Sequence, residues 1–589
     1  MTALTRLSPR AIAQAVQSGE TSALAVIEDV LARLSAYDVV QPQIWISRTS
    51  PSTLLAAARE VDARIAQGEK LPLAGVPFAV KDNIDVAGLD TTAACPAFAY
   101  AADASATVIT KLIEAGAVCV GKTNLDQFAT GLVGTRSPYG IPANAYNRAY
   151  VSGGSSSGSA VAVAAGLVGF ALGTDTAGSG RVPAAFNHLV GLKPTKGRWS
   201  TSGLVPACRT LDCITVFADN VADALLVDEV VAGFDASDPF SRPLEDRPLA
   251  ACRIGVPRAD QRAWFGDAAS EYLYERALEK LAGSAQLVEI DIEPLNEAAR
   301  LLYDGPWVAE RTAAIEALLA SDPDAIDPVV REVVAPGAGV SAVEAFRGAY
   351  RLAELAREAE ALWQSVDCLA FPTTGTTYRI RELAAAPIAL NSHLGRYTNF
   401  VNLLDMAAIA VPAGVRDNGT GFGITLIGPA HTDRALAEAA LGYMEAADLP
   451  SPPPLDLEGQ METVKLAVVG AHLKDMPLHW QLTSRDAQFV GAFETAPTYR
   501  LYAIADSVPP KPALVHSEDG AAIKVEVYEL GMEAFGSFTA EVPAPLAIGT
   551  VTLADGSSVK GFVSEPRAIV GAEEITELGG WRAYIERLA

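Results

Sequence analysis

The segment Val151–Arg181 reads VSGGSSSGSAVAVAAGLVGFALGTDTAGSGR. Two serine- and glycine-rich clusters flank a run of small apolar residues, and Ser155 and Ser179 stand 24 positions apart. A flexible linker would carry the serines and glycines but not the compact run Ala160–Gly173. The segment therefore predicts a buried helix running into a strand, with a polar loop at each end. Glycines let backbone amides come close to a ligand and serines supply hydroxyls, so the two loops suit attack on acyl or amide groups.

Outward from this segment, strand-like apolar runs alternate with helical periods: GVPFAV before Lys81, ATVITKLIEAG then AVCVG, and CLAFP near Phe371. This alternation predicts an α/β fold with a mixed or mainly parallel β-sheet wrapped by helices, with its site at strand ends. Asp267–Leu281, Glu297–Leu319 and Ser341–Leu362 read as surface helices, with Pro and Gly marking their breaks. From Pro450 to Glu462 the chain becomes PSPPPLDLEGQME, which forms neither helix nor central strand. We expect a first domain over 1–446, a proline-rich linker over 447–463 and a second domain over 464–589. In the second domain VKLAVVGAHL, QFVGAFE, TYRLYAIA, AIKVEVYEL and IGTVTLADGSSVKGFV alternate like strands, and a helix over Trp581–Leu588 closes it. It is read as a smaller β-rich α+β domain.

Lys and Arg number 45 against 70 Asp and Glu, a formal charge of −25. That balance disfavours nucleic acid or an anionic membrane as a partner. The apolar run Val161–Gly173 is too short for a span of about 20 residues. The N-terminus MTALTRLSPRAIAQAV has no apolar core of a signal peptide, and the six cysteines are scattered, mostly in apolar contexts. A cytoplasmic protein with reduced thiols is expected.

Three segments, GVPFAVKDNID around Lys81, GGSSSGSA around Ser155 and ALGTDTAGSGRVPAAFN around Ser179, together with GLKPTKG, resemble the amidase signature family over roughly residues 20–445. The resemblance implies a Ser-Ser-Lys triad of Ser179 as nucleophile, Ser155 as relay and Lys81 as base, and an oxyanion hole from the backbone amides of Thr176, Ala177, Gly178 and Ser179. The residue types make physical sense. A serine hydroxyl needs a base, and lysine can be one only where burial keeps it neutral. Many family members carry Gly where this chain has Ala177.

Other patterns compete for the same letters. Gly154–Gly158 matches G-x-S-x-G, which would make Ser156 a hydrolase nucleophile with His393 or His431 downstream, but leaves Lys81 and Ser179 without a role. Gly116–Thr123 matches the phosphate-loop spacing, yet its interior Ala-Val-Cys-Val is a strand former. No metal-ligand spacing is present and no cofactor is expected.

The segment LLYDGPWVAERTAAIEAL and the second domain's opening KLAVVGAHLKDMPLHWQL resemble the allophanate hydrolase branch of the family. That resemblance implies hydrolysis of the small anion allophanate with release of ammonia, in urea degradation and nitrogen metabolism, in functional association with a urea carboxylase and in a homodimer. By the same resemblance Tyr303 and Arg311 bind the substrate; an arginine can hold a carboxylate bidentately and a tyrosine can add a phenolic donor. Gly305-Pro306 predicts that a helix starts between them. Gly131, Ser137 and Tyr139 are candidates for the acyl side of the pocket. The second domain resembles γ-glutamyl cyclotransferases, which links it to decarboxylation of the first product, N-carboxycarbamate, with His472 as its candidate acid or donor. Three alternatives are weighed: an amidase for another small amide, a glutamine-dependent transamidation subunit, disfavoured by charge and by the second domain, and an inactive scaffold.

Overall fold

The computed structural model describes residues 3–4, 6–449, 455–456, 463–485, 487–504 and 507–588. The proline-rich stretch expected as a linker lies largely outside the described residues. Two compact units result, 1–455 and 456–589.

The first unit is built on an eleven-stranded sheet. In chain order its strands are β1 Trp45–Arg48, β2 Pro77–Lys81, β3 Val118–Thr123, β4 Phe170–Asp175, β5 Val190–Lys193, β6 Cys213–Ala218, β7 Arg253–Pro257, β8 Gln286–Ile290, β9 Cys368–Pro372, β10 Met406–Val415 and β11 Gly421–Pro429. Across the sheet they run β8-β7-β9-β11-β10-β5-β6-β4-β2-β3-β1. The sheet is mixed: β2 is parallel to both β3 and β4, whereas β4 and β6 are antiparallel.

Both faces are covered, which explains the near-continuous apolar character of the central strands. In β9, Cys368 and Ala370 face one core, shared with the helices Val221–Val231, Ala268–Ala282 and Asp433–Ala447. Leu369 and Phe371 face the other, shared with α1 (Glu293–Arg300) and α3 (Ala342–Leu362). The expected break inside Glu297–Leu319 is found: α1 ends at Arg300, Pro306 caps the next helix, and α2 spans Trp307–Ser321. The hairpin β10–β11 gave no clear strand signal in the sequence, because its strands are rich in Ala and Gly and Pro412 sits at a register shift.

In the opening segment Ser157–Ala164 forms a helix whose eight residues are all buried, and it leads to β4. Small residues are required by close approach: a Cβ at Gly158 would lie 2.3 Å from the Ile44 carbonyl oxygen. The parallel register Ala79↔Ala171 and Val80↔Leu172 brings the ends of β2 and β4 to the same edge. Lys81 closes β2, and the loop that holds Ser179 follows β4.

The second unit has a five-stranded sheet containing Thr463–Val468, Gln488–Glu494, Lys524–Gly531, Leu546–Thr552 and Ser558–Ser564, and a three-stranded sheet containing Tyr499–Ala503, Pro512–His516 and Glu573–Glu574. Its core is its own, from Leu466 and Val468 through Val525 and Val527 to Trp581. The terminal helix spans Trp581–Leu588, and a further helix, Met532–Ala540, was not apparent from periodicity. Among the described residues no helix is long and apolar enough to cross a membrane.

Candidate active site

Lys81 is completely buried, and its Nζ donates to Ser155 Oγ and Thr174 Oγ1, both at 2.7 Å. Burial lowers its pKa from 10.5 to about 7; Asp126, Asp212 and Asp175 oppose that shift, and the nearby Arg311 charge adds to it. Lys81 forms no ion pair among the described residues, so it is the kind of lysine that exists neutral near neutrality. Ser155 follows a cis peptide bond from Gly154. A Cβ on Gly154 would lie 2.1 Å from Asp126 Oδ2, so that loop tolerates only glycine there.

Ser179 is 3% exposed, and its Oγ donates to the Gly131 carbonyl at 3.4 Å. It makes no direct hydrogen bond to Ser155 in the described residues. The Ser179 loop is anchored by Asp175, whose carboxylate accepts from Arg181 Nε at 2.9 Å and Nη2 at 3.0 Å. Burial pushes the Asp175 carboxyl up, but Arg181, with Lys193 and the Gly180 amide, outweighs it and holds the pKa below the ordinary value. Asp175 also accepts the amides of Gly178 at 2.9 Å and Gly180 at 3.1 Å. The Gly178 amide, expected as an oxyanion donor, is thereby spent on Asp175. The amides of Thr176, Ala177 and Ser179 have no partner among the described residues although all three residues are buried. Unpaired buried amides are uncommon in folded proteins, and such donors are free to meet an anion.

Arg311 is 2% exposed and forms no ion pair among the described residues. Its guanidinium stacks over the Tyr303 ring, 5.0 Å from the centroid, and Nη1 donates to Thr130 Oγ1 at 3.1 Å. Among the described residues Nε is buried without a partner and Nη2 makes no hydrogen bond. Thr130 precedes Gly131, whose carbonyl meets Ser179, so one dipeptide touches both the guanidinium and the nucleophile. Tyr303 and Trp307 pack on a cluster that includes Ala177 of the Ser179 loop. The loop over 126–136 is organised by Asp126, which accepts the amides of Val133, Gly134 and Arg136. Ser137 is occupied within its own loop, where it donates to Asn124 Oδ1 at 2.6 Å and accepts the Tyr139 amide.

The competing motifs dissolve in the structure. The Ser156 hydroxyl is held by the backbone of Thr174, His393 is bound to Tyr378 and His431 to Arg242. Val118–Thr123 is a strand, and Lys122 is buried in an ion pair with Asp82 at 3.0 Å. Sequence reasoning missed Thr174, Asp126, Thr130 and Asp212. Thr174 lies inside the quoted segment and Asp126 binds amides 7 to 10 residues ahead of it, but Thr130 and Asp212 act through contacts between distant parts of the chain.

In the second unit, His472 follows the strand Thr463–Val468 and lines a cavity of about 250 Å³ with Gln481, Lys511, Phe538 and Phe562. Its Nε2 lies 2.7 Å from Gln481 Oε1, and its ring stacks on Phe562 and meets Phe538 edge-on. Burial lowers its pKa and so favours the neutral imidazole, and the Gln481 contact opposes that shift.

The amidase family profile matches residues 26–437, and the allophanate hydrolase C-terminal domain profile matches 464–586. The chain is 45% identical to the urea amidolyase of Saccharomyces cerevisiae over 572 residues, covering 92% of this chain but 31% of that longer protein. It is 34% identical to a glutamyl-tRNA(Gln) amidotransferase subunit from Prochlorococcus marinus over 475 residues, 74% of this chain and 96% of that one. The solved structure of selenomethionine-substituted allophanate hydrolase from Kluyveromyces lactis matches with a TM-score of 0.71 at 41% identity, covering 97% of this chain and 98% of that chain. The chain belongs to the amidase family and carries an allophanate hydrolase C-terminal domain behind its amidase domain.

Proposed function

We propose that this protein is an allophanate hydrolase. The observation that carries the reading is Arg311: a buried guanidinium that among the described residues has no carboxylate partner and no hydrogen bond on its Nε–Nη2 edge, beside Tyr303 and one residue from the backbone that touches Ser179. Burying such a charge unpaired costs several kcal/mol, which an anionic substrate recovers on binding. The Nε–Nη2 edge matches a carboxylate bidentately. A small urea bearing a carboxylate fits that chemistry, whereas an uncharged amide does not use it.

In this reading neutral Lys81 accepts the Ser155 proton across their 2.7 Å contact, and Ser155 accepts that of Ser179. Ser179 Oγ leaves the Gly131 carbonyl and attacks the terminal amide carbon. The amides of Thr176, Ala177 and Ser179 hold the oxyanion, and the relayed proton returns to the leaving nitrogen, releasing ammonia. Water repeats the route on the acyl enzyme and yields N-carboxycarbamate. His472 and its cavity then serve loss of carbon dioxide from that product. We further read the chain as a cytoplasmic homodimer supplied by a carboxylase acting on urea, since carboxylation of urea is the reaction class that makes this anion.

Ammonia release from allophanate, with a fluorophosphonate probe on native protein, tests the proposal. Wild type releases ammonia and takes the label, and Ser179→Ala does neither. Equal turnover of allophanate and uncharged amides would remove the anion site. Glutamine turnover in preference to allophanate would favour the transamidation reading that the amidotransferase relative suggests.

A further inference from the structure

Asp212 is 6% exposed and has no cation within ion-pairing distance among the described residues. Its carboxylate accepts the Thr176 hydroxyl at 2.5 Å and the amides of Ala207 at 2.8 Å and Cys208 at 3.1 Å. The β4–β6 ladder ends on the pair Asp175↔Cys213. Thr176 and Asp212 are the next residues beyond it, so a side-chain bond continues the pairing where the backbone ladder stops. Thr176 also begins the run Thr176–Ser179, in which the amides of Thr176, Ala177 and Ser179 have no partner among the described residues. Cys208 and Leu211, from the loop that ends at Asp212, pack on Ala177 in the same cluster as Tyr303.

From these contacts we infer that Asp212 is a positioning residue: through the Thr176 hydroxyl it fixes the oxyanion donors of Thr176 and Ala177 against the substrate. The inference rests on the acyl-transfer reading of Lys81, Ser155 and Ser179. A carboxylate that served only to hold its own loop would be satisfied by the Ala207 and Cys208 amides. The bond to Thr176 instead joins two loops at the same end of a strand pair.

The charge of Asp212 also reaches the base. Burial raises its pKa to about 6, opposed by its hydrogen bonds to Thr176, Ala207 and Cys208 and by Arg311. Its negative charge in turn favours the proton on Lys81, as do Asp126 and Asp175, while Arg311 disfavours it. Neutralising Asp212 therefore lowers the proton affinity of Lys81 further. Activity that needs neutral Lys81 then persists to lower pH.

The test uses the full chain, allophanate, and the variants Thr176→Val, Thr176→Ser and Asp212→Asn. Thr176→Val removes the bond and keeps the shape; kcat falls about 10- to 100-fold, part of the 10²- to 10³-fold effect of losing an oxyanion donor, with KM within about threefold. Thr176→Ser keeps a hydroxyl and returns kcat to within about threefold of wild type. Asp212→Asn lowers kcat and moves the acid limb of kcat/KM to lower pH. A Thr176→Val enzyme with wild-type kcat, a Thr176→Ser enzyme as impaired as Thr176→Val, or an acid limb that Asp212→Asn does not move each overturns the inference. The serine and valine pair decides the matter should Asp212→Asn fail to fold. A wild-type protein inert toward allophanate would instead sink the acyl-transfer reading itself.

Discussion

In the amidase unit Lys81 and Arg311 are closed off from water, whereas His472 in the second unit stands half-buried at the wall of a cavity of about 250 Å³. The two sites treat charge differently. Lys81 lies near three buried carboxylates, Asp126, Asp175 and Asp212, and Arg311 near Asp212, yet neither side chain makes an ion pair with them among the described residues. Asp175 is taken by Arg181, and Asp126 and Asp212 are occupied with hydrogen bonds to backbone amides and, for Asp212, a hydroxyl. Lys81 is left with an electrostatic demand that it meets by losing a proton, and Arg311 with a donor edge that a bound anion can fill. His472 has no such demand, because Gln481 and two aromatic rings satisfy a neutral imidazole. A site that bears such desolvation is built for a step with large charge movement, and a satisfied neutral site is built for a milder one.

The contrast can be broken most severely at the base. Lys81→Met keeps the volume and removes the proton acceptor, so kcat for ammonia release is expected to fall by about 10⁴-fold or more, with Lys81→Met/Ser179→Ala little worse than either alone. Steady-state ammonia assays check this, and additive losses would mean that the two residues do not act as a unit.

Next in size, Arg311→Ala removes one side of a desolvated charge pair, worth about 2–4 kcal/mol, or about 30- to 10³-fold in kcat/KM for allophanate. Most of that loss should appear in KM, and fluorophosphonate labelling of Ser179 should persist. Equal losses on an uncharged amide would mean that Arg311 supports the fold rather than the anion.

The smaller effect lies in the second unit. His472→Ala should slow carbon dioxide release by about 10²-fold, the range of a single acid–base group, while ammonia from the amidase step continues. Separate assays of the two gases sharpen the comparison, since parallel loss of both would place His472 in the service of the first reaction.

Much of this contrast was legible in the sequence. Lys81, Ser155 and Ser179 lie in contiguous motifs, and the helix-to-strand reading of Val151–Arg181 follows from local periodicity. The break at Gly305-Pro306 was readable because proline is suited to a helix start and not to its interior. What escaped is what chain closure creates. Thr130 and Arg311 are 181 positions apart, and nothing in either local pattern announces their bond. Gly178 is a different case. An aspartate three residues before a glycine in Asp-Thr-Ala-Gly commonly accepts the turn's amides, so that signal was present, although it read equally well as part of the oxyanion loop.

The central claim is that burial makes Lys81 a neutral base, and the pH dependence of kcat/KM for ammonia release tests it most directly. Its pKa of about 7 lies below the ordinary 10.5, so the neutral form predominates above pH 7 and is lost as the pH falls. The account predicts a plateau above about pH 8 and a tenfold fall per unit below an apparent pKa near 7. A limb that appeared only near the ordinary lysine value, or a rate that rose as the pH fell below 7, would contradict it.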